Sequence, residues 1–154
     1  MDIVKRLAAH TTVGLDTPVF IYQLEAHPDY LPLTKALFTS VQAGRWAAIT
    51  STITLMELTV RPWQLGRPAV AREYETLLVH FPYLTILDVT RDVARRAAQL
   101  RAEYRLRPAA ALQIGTALVH GATAFVSNDR ALLRVAPTLD IVILEPLRTA
   151  DQLS

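Results

Sequence analysis

The sequence predicts an α/β fold in which a central, mostly parallel sheet is flanked by helices. Short apolar segments alternate along the chain with longer segments that repeat apolar residues every three or four positions. The short segments are almost wholly apolar, which is typical of parallel strands buried on both faces. Since the 154 residues contain no linker-like stretch, we expect residues 1–154 to form a single domain.

The first half of the chain is predicted to supply two strands, at residues 12–15 and 46–50. After the first strand, Asp16 and Thr17 can cap a helix that has Pro18 in its first turn. Apolar spacing predicts further helices over residues 33–42, 53–61 and 69–80, and Pro62 is expected to end the second of these.

The second half begins with a β-rich strand at residues 83–89. Thr90 can cap a helix whose apolar residues are spaced by three and four up to Tyr104. A further helix is predicted over residues 109–120, and the last two strands over residues 123–126 and 139–144.

The composition excludes several classes of protein. The chain has 16 lysines and arginines against 14 acidic residues, a net charge of +2, which is too low for a DNA binder that acts by charge alone. It has no cysteine, which excludes disulfide scaffolds, cysteine-ligated metals and thiol catalysis. Because no apolar run reaches the roughly 20 residues of a membrane span and no signal peptide is evident, we expect a cytoplasmic protein without membrane contact.

Two aspartates follow predicted strands and are the first candidates for chemistry. Asp16 follows the first strand and Asp129 follows a late one, and in parallel sheets the functional crevice lies beyond the carboxyl ends of the strands. If these two strands are neighbours, the carboxylates meet and offer oxygen ligands that suit Mg²⁺. The structural alternative is that each aspartate only caps the helix or turn after its strand.

Glu57 is the third acidic candidate, because it lies within the otherwise apolar segment Ile53 to Leu58. A buried acid needs a partner or a metal ion. The alternative is an exposed ion pair with Arg61, which follows Glu57 by four residues on the same helix face.

Other candidate sites are weaker. A group of arginines could contact phosphate groups, although a solvated helix face explains them equally well; these are Arg91, Arg95, Arg96, Arg101, Arg105 and Arg107. The four histidines lack metal-ligand spacing, and no glycine-rich phosphate loop or serine-hydrolase motif is present.

The order of several motifs resembles the PIN domain family, and the VapC-type toxin ribonucleases in particular. The resemblance is carried by the segments Asp16 to Tyr22, Thr50 to Leu58, Pro108 to Leu118 and, most specifically, Gly121 to Leu132. It covers nearly the whole chain and implies a PIN-like α/β/α sandwich that cleaves RNA with Mg²⁺ or Mn²⁺. On this resemblance Asp16 and Asp129 are metal ligands, and Glu57 is an outer ligand or orients the attacking water.

The resemblance also implies partners. VapC-like proteins typically form homodimers and are held inactive by a cognate antitoxin protein, so we expect an RNA substrate, an antitoxin and a second copy of this chain.

One position departs from the family pattern. PIN proteins usually have an aspartate directly before the Ala-Leu of the Ala-Leu-Gln sequence, where this chain has Ala110. The loss of one of about four carboxylates is expected to lower both metal affinity and cleavage rate. The second hypothesis is therefore a catalytically inactive PIN-like module that binds RNA or protein.

Overall fold

A computed structural model describes the backbone of residues 2–153 and the side chains of residues 2–148. The helices are α1 (Ile3–Arg6), α2 (Thr17–Leu24), α3 (Leu31–Gln42), α4 (Thr52–Gln64), α5 (Pro68–Val79), α6 (Arg91–Tyr104), α7 (Pro108–Val119) and α8 (Leu144–Leu153). The strands are β1 (Thr12–Leu15), β2 (Ala47–Ser51), β3 (Leu84–Leu87), β4 (Ala124–Ser127) and β5 (Asp140–Ile143), and a 3₁₀ helix spans Arg130–Val135.

The five strands form one parallel sheet in the order β3-β2-β1-β4-β5. The central strand β1 pairs with β2 on one side and with β4 on the other, and Leu15 is opposite Val126. The amide of Asp16 extends this ladder by donating to the carbonyl of Val126 at 2.9 Å. The sheet therefore places the residues after β1 and β4 next to each other, as the sequence-based metal hypothesis requires.

Helices cover both faces of the sheet, which confirms the predicted α/β/α sandwich. One apolar cluster contains α2 and α3 side chains such as Val19, Leu37 and Val41. The other contains α6 and α7 side chains such as Leu100 and Ile114. Both faces of the strands are thus removed from water, which explains their continuous apolar sequences.

The helices α6 and α7 approach closely at Gly115. A Cβ atom added there would lie 3.1 Å from the carbonyl oxygen of Val93 and 3.3 Å from the amide nitrogen of Ala97. A small residue is needed at this crossing so that the two helices can pack against the same face of the sheet. No helix within residues 2–153 combines the length and apolar character needed to cross a membrane.

The structure departs from the sequence-based expectations in three places. Helix α4 does not end at Pro62 but continues to Gln64, because Pro62 lies in its last turn and removes only its own amide from the hydrogen-bond ladder. The amide of Leu65 still donates to Arg61. The terminal helices α1 and α8 were not expected, since neither of their sequences shows a long apolar period.

An ionic cluster ties α1 to the edge strand β5, at the amino end of the sheet. Both terminal nitrogens of Arg6 donate to the carboxylate of Asp140 at 2.6 Å, and Nε2 of His10 lies 2.9 Å from the same group. The hydrogen bonds from Arg6 are the main cause that holds the pKa of Asp140 below its usual value. This cluster lies at the opposite end of the strands from Asp16 and Asp129 and fastens the amino terminus to the sheet.

We predict that Asp140→Asn lowers the free energy of unfolding by about 1–2 kcal/mol at neutral pH, because it removes a bidentate, partly shielded pair. A lowered pKa stabilises the fold above the unfolded-state value near pH 4, and this contribution is lost as the pH falls through the folded-state pKa. The difference between parent and variant in urea denaturation should therefore shrink below about pH 4.

Asp92→Asn is the matched control, because the Asp92–Arg95 pair is largely exposed and should contribute less than about 0.5 kcal/mol. Equal losses in the two variants would contradict a stabilising role for Asp140.

Candidate active site

Asp16 occupies the turn between the central strand β1 and helix α2. Its backbone is extended, and its Oδ1 accepts a hydrogen bond from the amide of Thr17 at 2.9 Å, so that it caps α2. The capping role predicted from the sequence is therefore confirmed. This capping hydrogen bond leaves lone pairs on both carboxylate oxygens of Asp16, since an ionised carboxylate accepts about four hydrogen bonds in all.

Ser127 connects Asp16 with the loop that carries Asp129. The buried hydroxyl of Ser127, at the end of β4, donates to Oδ2 of Asp16 at 2.7 Å and accepts from the amide of Asp129 at 3.0 Å. One hydroxyl thus fixes the side chain of one aspartate and the backbone of the other. The two strand ends form a single hydrogen-bonded unit.

Asp129 itself is exposed and caps the 3₁₀ helix. Its Oδ1 accepts from the amide of Ala131 at 3.0 Å. As at Asp16, the capping interpretation and a ligand role are compatible, because one accepted hydrogen bond leaves most of the carboxylate open.

Glu57 is exposed on α4, although its neighbours in sequence are apolar. Its Oε1 accepts a hydrogen bond from the hydroxyl of Thr17 at 2.8 Å, so the residue after Asp16 directs Glu57 towards the same end of the sheet. Among the side chains of residues 2–148, Glu57 forms no ion pair with Arg61, and the alternative of a surface pair is wrong.

A buried polar network beneath the carboxylates is centred on Gln113 of α7. Its Nε2 donates to the hydroxyls of Thr54 at 2.7 Å and Thr17 at 3.2 Å, and its Oε1 accepts from Ser51 at 2.7 Å. The hydroxyl of Thr17 donates to Glu57, and the hydroxyl of Thr50 shares its single proton between the hydroxyl of Thr54 and a backbone carbonyl. The network joins α2, α4 and α7 below the site.

The acids repel one another and are not neutralised by basic groups. The pKa of Asp16 is raised, mainly because burial disfavours the charged form, and the negative charges of Glu57 and Asp129 raise it further. Hydrogen bonds from Ser127 and the Thr17 amide act in the opposite direction. Within the described side chains none of the three acids has an ion-pair partner, so a cation would relieve this repulsion.

The donor set suits a hard divalent cation in kind but is incomplete in number. Mg²⁺ prefers oxygen ligands and is usually held by one or two carboxylates, with water and substrate phosphate supplying the rest. Asp16 and Asp129 fit this requirement. However, residues 2–148 contain no group of three or more acidic or histidine side chains that converge as a metal cluster.

Ala110, the position that departs from the family pattern, lines the same cavity as Asp129. It is half-buried in the first turn of α7, three residues before Gln113, and the cavity has a volume of about 310 Å³. The methyl group provides no ligand. The position singled out in the sequence therefore lies beside Asp129, one of the predicted metal ligands.

Sequence reasoning did not assign roles to the neutral residues that position the acids. Ser127, Thr17 and Gln113 were each visible within the motifs, but a hydroxyl or amide is common at strand ends and helix starts for capping alone. The available signal was Gln113, a polar residue within the apolar face of a helix that is buried against the sheet.

Comparison with known proteins gives one family and a set of similar structures. The PIN domain family matches residues 13–137. No curated protein sequence is similar enough to count as a match. A VapBC2 structure from Rickettsia felis, bound to a promoter DNA fragment, has a chain that is 18% identical with a TM-score of 0.68, over 85% of this chain and 97% of that one.

Two further structures have the same fold. A chain of DNA-bound VapBC from Salmonella typhimurium is 23% identical with a TM-score of 0.65, over 85% of this chain and 96% of that one. A chain of FitAcB from Neisseria gonorrhoeae is 19% identical with a TM-score of 0.65, over 84% of this chain and 96% of that one. At this level of identity the likeness concerns the fold.

We predict that Gln113→Leu lowers the free energy of unfolding by about 2–4 kcal/mol, because it leaves the buried hydroxyls of Ser51 and Thr54 with fewer partners. Urea denaturation measures this loss. Gln99→Leu on the exposed face of α6 is the matched control and should stay within about 0.5 kcal/mol of the parent. If Gln113→Leu costs no more than Gln99→Leu, the network does not support the site.

Proposed function

Because the chain belongs to the PIN domain family, a family of nucleases, we propose that it is a divalent-metal-dependent endoribonuclease of the VapC toxin type whose activity is reduced by Ala110. The observation that carries the proposal is the link that Ser127 makes between Asp16 and the backbone of Asp129, at the carboxyl ends of adjacent parallel strands. Thr17, the residue after Asp16, binds Glu57 of α4. These acids accept hydrogen bonds from uncharged hydroxyl and amide groups. Within the described residues none of them forms an ion pair with a basic side chain.

The proposed roles follow from the contacts of each acid. Asp16 and Asp129 would hold the metal ion, which is typically Mg²⁺ in PIN nucleases and could also be Mn²⁺. When bound, the ion would make water more acidic and offset charge on the scissile phosphate. Glu57, held by the Thr17 hydroxyl, would orient the attacking water, and Ser127 would keep the two aspartates at a fixed separation.

Partners are proposed on the basis of the similar structures and of one exposed surface. The similar structures include a toxin–antitoxin complex from Klebsiella pneumoniae and the DNA-bound VapBC from Salmonella typhimurium. On α4 of this chain, Met56, Val60 and Trp63 recur at helical spacing with 57%, 47% and 57% of their surface exposed. Large apolar side chains exposed in a row favour a protein partner on this helix. We therefore propose a cognate antitoxin and a homodimer, with RNA as the substrate.

The second candidate is a PIN-like module that binds RNA or protein without cleaving it. Ala110 favours this candidate, since it removes a carboxylate from an otherwise intact arrangement. The two candidates differ in whether a carboxylate at position 110 restores turnover.

We predict that Ala110→Asp raises Mg²⁺-dependent cleavage of a mixed RNA pool by about 10-fold or more, because it adds an oxygen ligand beside Asp129. Calorimetric titration should show tighter Mg²⁺ binding in the same variant. Ala109→Asp is the matched control, since it places the same charge in the first turn of α7 without lining the cavity. If Ala110→Asp binds RNA, stays folded and still does not cleave, the binding-module candidate replaces the nuclease.

We also predict that Asp16→Asn together with Asp129→Asn lowers RNA cleavage at least about 100-fold, since both proposed ligands lose their charge. The double substitution is made in the parent protein or in Ala110→Asp, according to which of them cleaves. EDTA should reproduce the loss in that protein without the double substitution. Persistence of equal cleavage in the double variant would exclude these residues as the metal site. Asp92→Asn, which changes an exposed acid on α6, serves as the control.

A further inference from the structure

The cavity beside Ala110 is basic, although it adjoins an acidic site. Its volume is about 310 Å³, and the charged side chains that line it are Arg105, Arg107, Arg134 and Asp129. Within residues 2–148, none of these three arginines forms an ion pair. The lining therefore carries three positive charges against one negative charge, and the guanidinium groups are not neutralised by a neighbouring carboxylate.

The turn between α6 and α7 places two of the arginines at the cavity. Arg105 ends α6 in the left-handed conformation, with φ of 57°, and so reverses the chain direction. Buried Leu106 then anchors the turn, and its carbonyl accepts a hydrogen bond from Nε of Arg101 at 3.1 Å. Arg107 follows as the residue that precedes α7.

The third arginine comes from a different element, the 3₁₀ helix after β4. Arg134 lies on the 3₁₀ helix, and its Nη1 lies 3.4 Å from the carbonyl oxygen of Arg105, towards which it donates. This contact spans from the loop after β4 to the turn before α7. It leaves the remaining N–H groups of Arg134 available to a ligand, because a guanidinium has five donors.

The first turn of α7 adds backbone N–H donors, which carry partial positive charge. Arg107 provides no side-chain cap, and the amides of the first turn have no acceptor within the helix. Ala110 lies in this turn and lines the cavity, so the positive end of the helix adjoins the space that the arginines line. A carboxylate at position 110 would place a negative charge in that space.

We propose that this cavity binds a phosphate monoester without a metal ion. The net charge of +2 on the lining matches a phosphate monoester, which carries about −1.5 to −2 at neutral pH, better than a phosphodiester with its single charge. Arginines that line one cavity can each donate to a phosphate oxygen, and arginine forms such contacts in a bidentate manner. The group could be the terminal phosphate of an RNA or that of a free mononucleotide.

Calorimetric titration in EDTA tests the proposal independently of cleavage. The ligands are one oligoribonucleotide with a 5′-phosphate, a 3′-phosphate or hydroxyls at both ends, together with adenosine 5′-monophosphate and inorganic phosphate. We expect a terminal phosphate to tighten RNA binding about 10-fold or more. If the mononucleotide and inorganic phosphate bind as tightly as phosphorylated RNA, the ligand is free phosphate; if only RNA does so, it is an RNA end. Equal binding of phosphorylated and hydroxyl RNA overturns the proposal.

Variants identify the pocket as the binding site. Arg107→Gln and Arg134→Gln should each lower the preference for phosphate about 10-fold, whereas Arg91→Gln, on exposed α6 outside the cavity, should leave it unchanged. Equal effects of Arg107→Gln and Arg91→Gln would show non-specific charge attraction and overturn the proposal.

Ala110→Asp separates this inference from the proposed nuclease. In EDTA this variant should bind the phosphate monoester more weakly than Ala109→Asp, because its carboxylate enters the cavity. The proposed nuclease predicts a gain in Mg²⁺-dependent cleavage from the same substitution. A gain in cleavage with unchanged phosphate binding overturns the pocket alone, and weaker phosphate binding without cleavage supports the pocket while removing the nuclease.

Discussion

The parallel pairing of β1 with β4 determines where the acidic residues of the site lie. The amide of Asp16 continues the ladder to the carbonyl of Val126, so the chain leaves both strands at the same edge. Only there can the Ser127 hydroxyl reach both Asp16 and the amide of Asp129. A register shift in this pair would turn side chains to the opposite face and break the connection. The position of two acids distant in sequence thus follows from one strand pairing.

A cluster of hydroxyls and one amide beneath these acids makes the arrangement rigid. A buried hydroxyl without a hydrogen-bond partner is costly, and here each hydroxyl has a partner within the network. Gln113 is suited to this place because an amide donates twice and accepts once, which neither glutamate nor leucine can do. The network includes Thr17, and Thr17 holds Glu57. A neutral core therefore fixes charged groups at the surface without placing a counter-charge beside them, which leaves their charge available to a cation.

The sequence contained the fold in its apolar pattern, because strands buried on both faces lose the alternation that a half-exposed strand keeps. It also indicated which acids follow strands. It did not reveal which strands are neighbours, since pairing depends on crossover connections that no local pattern records. Glu57 shows the limit most clearly: its apolar neighbours suggested burial, yet it is exposed and bound by a threonine forty residues earlier in the chain. The sequence did not predict that Arg134 lies near Arg105, because this contact depends on the position of the 3₁₀ helix.

Ala110 changes the electrostatic balance of the whole opening. Asp129 lines the cavity together with Arg105, Arg107 and Arg134, whereas neither Asp16 nor Glu57 lines it. A carboxylate at position 110 would extend the acidic region to the start of α7 and offset one arginine. Without it, we expect one region of the opening to attract cations and the other to attract anions. A phosphate group can bind to the acidic region only through a bridging cation, whereas it can bind to the arginine-lined cavity directly. Under the two proposals the same alanine is expected to weaken metal binding and to strengthen direct contact with phosphate, because both effects come from the absence of one negative charge.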